Sequence, residues 1–298
     1  RLSYSKSDDS GSKNATNMSD LHAINEAINK KAGRKLIPSI LVSLGLLAII
    51  FATIAYVPIL FALFVGTAVL LALRELVAAF HARGIEVRFL HLGAATAAVL
   101  MSAWFAGLPG LSTSIVIAMI ALLFLQLIHG VEGFVKNATA ATFTLLYPGF
   151  VAGFIFLLAR SSEGFDYVVT LVILVGCNDT FAYLTGVLVG KHPMAPKISP
   201  KKSWEGFIGG LVFTAIGSAL AFHYLLDHHP YVGALAGALG VLAATVGDLV
   251  ESAIKRDLSI KDMGTLLPGH GGMLDRLDSA LITAPVLWIF IEVLKRLS

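Results

Sequence analysis

The sequence predicts an all-α fold, a polytopic integral membrane helix bundle of about nine transmembrane helices with a cytoplasmic N-terminus. Its 298 residues are 56% hydrophobic and 14% charged, and the mean hydropathy is +0.81. A soluble domain carries roughly 25% charged residues, so this composition indicates a membrane protein. Nine apolar stretches are long enough, or nearly so, to cross a hydrocarbon core of roughly 30 Å. They lie near residues 36–56, 58–73, 89–107, 112–128, 139–159, 166–189, 207–226, 231–249 and 279–294.

The distribution of Lys and Arg predicts the orientation of these spans, because cytoplasmic loops carry an excess of positive charge. With the N-terminus in the cytoplasm, 19 of the 22 Lys and Arg residues fall on the cytoplasmic side, and the exceptions are Arg160, Lys295 and Arg296. An even number of spans would return the last two to the cytoplasm, so the side of the C-terminus stays open. Attraction to anionic lipid headgroups explains the net charge of +3, and no nucleic acid partner is expected.

Three regions follow from this pattern: a cytoplasmic tail at 1–35, N-terminal transmembrane helices at 36–160, and a C-terminal transmembrane region at 161–298. The first 17 residues are mostly Ser, Asp, Asn and Lys and should be disordered. Apolar residues at helical spacing after Ser19 allow a short amphipathic helix on the membrane, and an inert tail is the equal alternative. Cys177 is the only cysteine, so no disulfide can form within one chain.

Two polar residues, Asn178 and Asp179, interrupt the sixth apolar span. A charged group at the centre of a lipid-facing helix costs about 2.5–3.5 kcal/mol on insertion scales, so Asp179 should face the bundle interior or a hydrated cavity. Asp179 is then either a structural carboxylate that bonds a neighbouring helix or part of a polar site.

A Lys-rich loop follows, with the sequence KHPMAPKISPKKSWEG at 191–206. Its three prolines argue against regular structure, and its lysines suit anionic headgroups or nucleotide phosphates. The start of the next helix at Ser203 would present free backbone N–H groups to a phosphate. Ordinary positive charge on a cytoplasmic loop is the alternative. The candidate ligand-binding residues here are Lys201, Lys202, Ser203 and Glu205.

Acidic and basic residues then cluster on either side of a glycine-rich loop. Asp248, Glu251, Ser252 and Lys255 share one face at the end of the eighth span. Another face, at the start of the ninth span, carries Asp275, Asp278 and Ser279, where carboxylates could also act as simple capping charges. Carboxylates beside cations at a membrane surface are what a Mg²⁺–polyphosphate complex requires. The further cations and oxygen donors of this segment are Arg256, Lys261, Asp262 and Arg276.

This segment resembles the signature of the phosphatidate cytidylyltransferases, also called CDP-diacylglycerol synthases. The matching residues are Ser252-Ala-Ile-Lys255-Arg256, Lys261-Asp262, Gly264, Leu267-Pro268, His270-Gly-Gly-Met and Asp275-Arg276-Leu-Asp278, with Gly247-Asp248-Leu249, Lys201-Lys202-Ser203-Trp204-Glu205 and Asn178-Asp179 upstream. The resemblance covers most of the second half of the chain, so the catalytic region would be 161–298. The first half resembles the family only as a run of apolar helices.

The resemblance implies an enzyme that condenses CTP with phosphatidic acid to give CDP-diacylglycerol and pyrophosphate. It also implies Mg²⁺, with K⁺ as a second cation in some accounts, and a homodimer in a bacterial-type plasma membrane. Asp248 and Asp275 correspond to the metal ligands of the family. The remaining catalytic candidates, which neutralise charge, contact phosphate or orient the cations, are Lys255, Arg256, Lys261, Asp262, His270, Arg276 and Asp278. Candidates for contacts to nucleotide or headgroup are Asn178, Asp179, Lys201, Lys202, Ser203, Glu205 and Ser252.

Two other function classes fit a charged membrane bundle less well. A transferase acting on a different lipid phosphate would also use Mg²⁺ and aspartates, but its usual aspartate-rich motifs are missing from the sequence. A secondary transporter predicts inverted repeats and paired broken helices, whereas the charge here clusters at one surface in the second half.

Overall fold

A computed structural model describes residues 36–264 and 271–297, the first eight of them by backbone alone. The elements, in chain order, are α1 (Leu36–Tyr56), α2 (Pro58–His81), α3 (Phe89–Ile128), α4 (Phe134–Thr144), a π-helix (Leu145–Phe150), α5 (Val151–Ala159), α6 (Gly164–Val189), β1 (Pro193–Ala195), β2 (Ser199–Ser203), α7 (Trp204–Tyr224), α8 (Pro230–Asp257) and α9 (Leu274–Leu297). The predicted tail helix and His270 lie outside the described residues.

The prediction of an all-α membrane bundle is confirmed. Among the described residues, seven helical segments are long and apolar enough to cross a membrane, one of them formed by α4, the π-helix and α5 together. The count of about nine crossings stays a prediction. By its internal contacts the chain divides near residue 50, and the described residues from Ile50 onward form one compact unit. Every contact discussed below lies within this unit.

Helix α3 contains 40 residues and reverses direction near its middle. Gly107 has φ 68° and ψ −151°, a conformation that glycine adopts without strain, and Pro109 follows it. A methyl group added at Gly110 would collide with the carbonyl oxygen of Ser102, although eight residues of straight helix rise about 12 Å. The rings of His91 and His129, at opposite ends of α3, lie 5.7 Å apart. The third and fourth predicted spans are therefore two antiparallel arms of one helical hairpin.

The last four helices pack successively, α6 on α7, α7 on α8 and α8 on α9. Glycines make these contacts close: a methyl group at Gly209 of α7 would collide with Thr185 of α6, and one at Gly237 of α8 would lie 2.9 Å from the Cα atom of Ala215. Small residues bring helix backbones together in this way in membrane bundles.

The Lys-rich loop forms a short antiparallel hairpin, in which β1 pairs with β2 through Pro193 opposite Ser203 and Ala195 opposite Ser199. The expectation that its prolines exclude regular structure was wrong. Both prolines of the strands are tolerated because a two-stranded ribbon consists of edge strands, where a missing N–H need not break a ladder.

The loops predicted to be cytoplasmic meet at one end of the bundle, which we call the loop end (82–88, 129–133, 190–203, 258–264 and 271–273). Arg83 donates from Nε and Nη2 to the carbonyl oxygen of Leu258, at 2.9 and 2.6 Å. Lys136 Nζ donates to the carbonyl oxygen of Gly84 at 3.1 Å, and Arg256 Nε to that of Ile198 at 3.2 Å. Helices from both halves of the chain therefore contribute to the same end.

Candidate functional site

The centre of the candidate site is an ion cluster between α8 and α9. Lys255 Nζ lies 2.8 Å from Asp275 Oδ1 and also pairs with Glu251 of the preceding turn. Glu251 is fully buried, and the side chains of Lys255 and Asp275 are only 15% and 10% exposed. Two carboxylates thus surround one ammonium group in a largely dry setting, where each charge depends on its partners.

The second oxygen of Asp275 holds both ends of the glycine-rich loop. Asp275 Oδ2 accepts hydrogen bonds from the backbone N–H groups of Met263 at 3.0 Å and Gly272 at 2.7 Å. Gly271 has a φ of 77°, and a methyl group there would lie 2.9 Å from the same oxygen. A residue with a side chain would therefore be both strained and crowded at this position.

A second, more open ion pair joins the hairpin to α8. Lys202 Nζ lies 2.8 Å from Asp248 Oδ2, and Ser252 Oγ donates to Asp248 Oδ1 at 3.3 Å. The side chains of Lys202 and Asp248 are 23% and 35% exposed. Because the contribution of an ion pair to stability falls as its exposure rises, an incoming charged ligand can open this pair more easily than the pair of Lys255 and Asp275.

The polar residues of the sixth predicted span face α9. Ser279 Oγ donates to Asp179 Oδ1 at 3.4 Å, and Asn178 Nδ2 lies 3.2 Å from the same oxygen. Asn178 and Ser279 are buried, whereas Asp179 is exposed. Asp278, partly buried, receives the N–H of Ser279 at 2.6 Å. The structure thus places Asp179 against a neighbouring helix with an open side.

Two of the predicted ligand-binding residues have backbone partners where the hairpin begins and where α7 begins. Ser203 Oγ accepts the N–H of Gly206 at 3.1 Å and caps α7. Glu205 Oε2 accepts the N–H groups of Lys191 and His192, at 3.1 and 3.2 Å. Both side chains stabilise the fold of the segment that carries Lys202.

The remaining predicted residues lie at the edge of the site. Lys201, Arg256, Lys261 and Asp262 are exposed, and Arg276 is partly buried. Of these, Arg256 contacts the hairpin through Ile198, as described above. The three exposed cations, Lys201, Arg256 and Lys261, can be reached by a charged ligand from solution.

Three residues of the site were not among the predicted candidates. Helical spacing placed Glu251 beside Lys255, which was a usable signal for it. Tyr147, in the π-helix, donates from its hydroxyl group to the carbonyl oxygen of Gly247 at 3.4 Å, and π-helical turns are frequent at functional sites. Glu75 of α2 accepts the N–H of Leu274 at 3.2 Å. The last two lie in the first half of the chain, where the sequence carried no functional signal.

The residues present fit Mg²⁺ by their chemistry. Carboxylate and hydroxyl oxygens are the ligands that this ion prefers, and it usually binds one or two carboxylates together with water and substrate phosphates. Within 36–264 and 271–297, no three His, Cys, Asp or Glu side chains are grouped to hold a metal ion by themselves. Both carboxylates have partners on both oxygens, and that of Asp248 is the more accessible, at 35% exposure against 10% for Asp275.

The contact between α8 and α9 gives a first testable prediction. A methyl group at Gly247 would collide with the carbonyl oxygen of Asp278, so Gly247→Ala must separate the two helices next to Asp248. We expect a loss of about 1–3 kcal/mol in stability and impaired turnover, measured by thermal unfolding and activity in detergent. Gly176→Ala is the matched control, because a methyl group there meets nothing within 4 Å. Equal behaviour of the two variants would contradict the tight contact.

Comparison with known proteins places this arrangement in a family. The chain matches the cytidylyltransferase family over residues 38–294, a range that contains every residue of the candidate site. It is 37% identical over 277 residues to the phosphatidate cytidylyltransferase of Mycobacterium bovis, covering 89% of this chain and 90% of that protein. The phosphatidate cytidylyltransferase of Staphylococcus aureus (strain COL) is 37% identical over 257 residues, covering 82% of this chain and 97% of that protein.

Proposed function

Since this chain belongs to the cytidylyltransferase family, we propose that it works as a CTP:phosphatidate cytidylyltransferase whose site is the pair of ion clusters at the loop end. The enzyme transfers the cytidylyl group of CTP to phosphatidic acid and gives CDP-diacylglycerol and pyrophosphate, a step of phospholipid biosynthesis. The observation that carries the assignment of the site is the buried Lys255, held between Glu251 and Asp275, beside the more open pair of Lys202 and Asp248.

The reaction needs no strong base and no covalent enzyme intermediate. An ionised phosphate oxygen of phosphatidate forms a bond to the α-phosphorus of CTP. The bond from that phosphorus to the oxygen bridging to the β-phosphate breaks, and pyrophosphate leaves with the bonding electrons. Catalysis is then positioning and stabilisation of charge on the phosphates. Lys202 and Lys255 are the cations best positioned to stabilise negative charge on the phosphates, because carboxylates orient both ammonium groups.

The exposed cations would bind the outer phosphates and the lipid headgroup. Arg256, Lys261 and Lys201 lie around the rim, where they can meet CTP arriving from water. Asp262 and Asp278 would orient cations rather than bind substrate directly. In this proposal Asp248 and Asp275 would hold Mg²⁺, which would neutralise negative charge on the phosphates when bound.

The location of the site suits substrates from two phases. Trp204, half exposed at the start of α7, is a residue type that favours the boundary between lipid and water. CTP would enter from the cytoplasm and phosphatidate sideways from the bilayer. We place the loop end on the cytoplasmic face of a bacterial plasma membrane, because the loops that meet there carry seven Lys and Arg residues, namely Arg83, Arg88, Lys191, Lys197, Lys201, Lys202 and Lys261. A homodimer is part of the same proposal.

Pyrophosphate release from the purified protein in detergent tests the function. With CTP, phosphatidic acid and Mg²⁺ present, we expect release that stops when any one of the three is omitted. Release without phosphatidic acid would indicate a nucleotide hydrolase instead. Release with another phospholipid in place of phosphatidic acid would point to a different acceptor, and no release from folded protein would contradict the proposal.

A further inference from the structure

A carboxylate from the first half of the chain lies against the glycine-rich loop of the site. Glu75 occupies the last part of α2, where it is partly buried and is followed by the fully buried Leu76. Its Oε2 atom accepts the N–H of Leu274, the first residue of α9. The first N–H groups of a helix have no partner within the helix, so this contact caps α9 from outside.

The same carboxylate contacts both ends of the loop. A methyl group at Gly264 would collide with Glu75 Oε1, and one at Gly272 would collide with Glu75 Oε2 and lie 2.7 Å from the backbone nitrogen of Gly264. The neighbouring residue Met263, and Gly272 itself, donate their N–H groups to Asp275 on the other side. The two loop ends are therefore enclosed between two carboxylates.

Glu75 makes these contacts at an energetic cost. Its Oε1 atom is buried and accepts no hydrogen bond among the described residues. An unsatisfied buried acceptor destabilises a fold, and an apolar residue would suit an ordinary helix-packing position better. A helix-packing role alone therefore does not account for a polar side chain that contacts the two loop ends and the start of α9.

We propose that Glu75 is a positioning residue for the transfer reaction, which fixes the loop ends and the start of α9 so that Asp275 is held against Lys255. This inference rests on the proposed function. Glu75 would touch neither substrate. Its effect would reach the reacting groups through Gly272 and Leu274, whose backbone positions set the direction of the Asp275 side chain.

Two variants, Glu75→Ala and Glu75→Gln, show whether the reaction needs the hydrogen bond that Glu75 accepts or the negative charge of its carboxylate. Glu75→Ala removes the acceptor for Leu274, and we expect kcat to fall about 10–100-fold, since misplacement of a catalytic group by about 1 Å has that effect. KM for CTP should change by less than about 3-fold, because the exposed cations that would bind the nucleotide are untouched. Glu75→Gln keeps an acceptor of the same shape and should stay within about 3-fold of the unmodified protein. Glu86→Gln, an exposed carboxylate at the same end, is the matched control.

Hydrogen–deuterium exchange of the full chain in detergent gives a readout independent of turnover. Glu75→Ala should speed exchange at the amides of Met263, Gly272 and Leu274, and Glu75→Gln should not. If the unmodified protein fails to release pyrophosphate, the proposed function is wrong. The difference in amide exchange between Glu75→Ala and Glu75→Gln still tests whether Glu75 fixes the loop ends and the start of α9. Unchanged kcat and exchange in Glu75→Ala, or equal losses in Glu75→Ala and Glu75→Gln, would overturn the positioning role.

If Glu75→Ala does not fold, the opposite side of the contact provides the test. Gly264→Ala should lower kcat because its methyl group meets the Glu75 carboxylate. Gly176→Ala is the control, because a methyl group there meets nothing within 4 Å. Unchanged kcat and unchanged amide exchange at Leu274 in Gly264→Ala would overturn the inference.

Discussion

Replacing Lys255 by methionine is expected to remove turnover and to destabilise the protein. The substitution keeps an unbranched side chain one atom shorter than lysine, but it leaves Glu251, which is fully buried, and Asp275, which is nearly so, without their shared cation. Breaking a buried ion pair by removing one partner typically costs 3–5 kcal/mol, and removing a charge that stabilises the transition state lowers turnover about 100-fold or more. Thermal unfolding and pyrophosphate release would measure the two effects.

The double variant Lys255→Met with Glu251→Gln separates stability from activity. It removes one buried charge of each sign, so a large part of the lost stability should return while turnover stays low. Lys295→Met is the matched control, because that lysine lies over the Tyr167 ring, near the start of α6 and away from the loop end. Full activity of Lys255→Met would show that Lys255 is only a structural cation.

Replacing Asp275 by asparagine is expected to give a folded but nearly inactive protein. The amide keeps the shape of the carboxylate, yet one of its two ends must now place an NH₂ group against either the Lys255 ammonium or the N–H groups of Met263 and Gly272. We expect a stability loss of about 1–3 kcal/mol from the unsatisfied donor. We also expect turnover to fall at least about 100-fold, together with a higher Mg²⁺ requirement if Asp275 holds the metal.

Asp257→Asn provides the control for this change. Asp257 is exposed at the end of α8, two residues from Lys255. Its replacement by asparagine removes the same charge as Asp275→Asn without altering the ion cluster. Activity, unfolding temperature and a Mg²⁺ titration should match the unmodified protein. An Asp275→Asn protein with normal turnover would remove Asp275 from the site.

Hydropathy and helical spacing predicted the parts of the structure that depend on near neighbours in sequence. Apolar stretches located the helices, and spacings of four placed Ser252 beside Asp248 and Lys255 beside Glu251, as the structure confirms. The reversal inside α3 coincides with the break between two predicted spans, because Gly107 and Pro109 interrupt the apolar pattern there.

The contacts made by the first half of the chain were beyond prediction from sequence. Glu75 lies 199 positions from Leu274, and Tyr147 lies 100 from Gly247. No local periodicity links such pairs, and an isolated glutamate near a helix end looks like any residue at the membrane surface. The pairing of Lys202 with Asp248 likewise depends on the hairpin. The hairpin was not predicted, because the three prolines of the loop argued against regular structure.

The bond from Arg83 to Leu258 has a consequence for how this protein can vary. Arg83, Tyr147 and Glu75 each bind a main-chain atom of the second half: two carbonyl oxygens and one N–H. Almost any residue supplies those atoms, so replacing Leu258, Gly247 or Leu274 does not remove the hydrogen-bonding group that the other half needs. Paired substitutions across these contacts are therefore not expected to accumulate during evolution. Methods that infer spatial proximity from correlated changes would overlook the connection between the two halves at these three points.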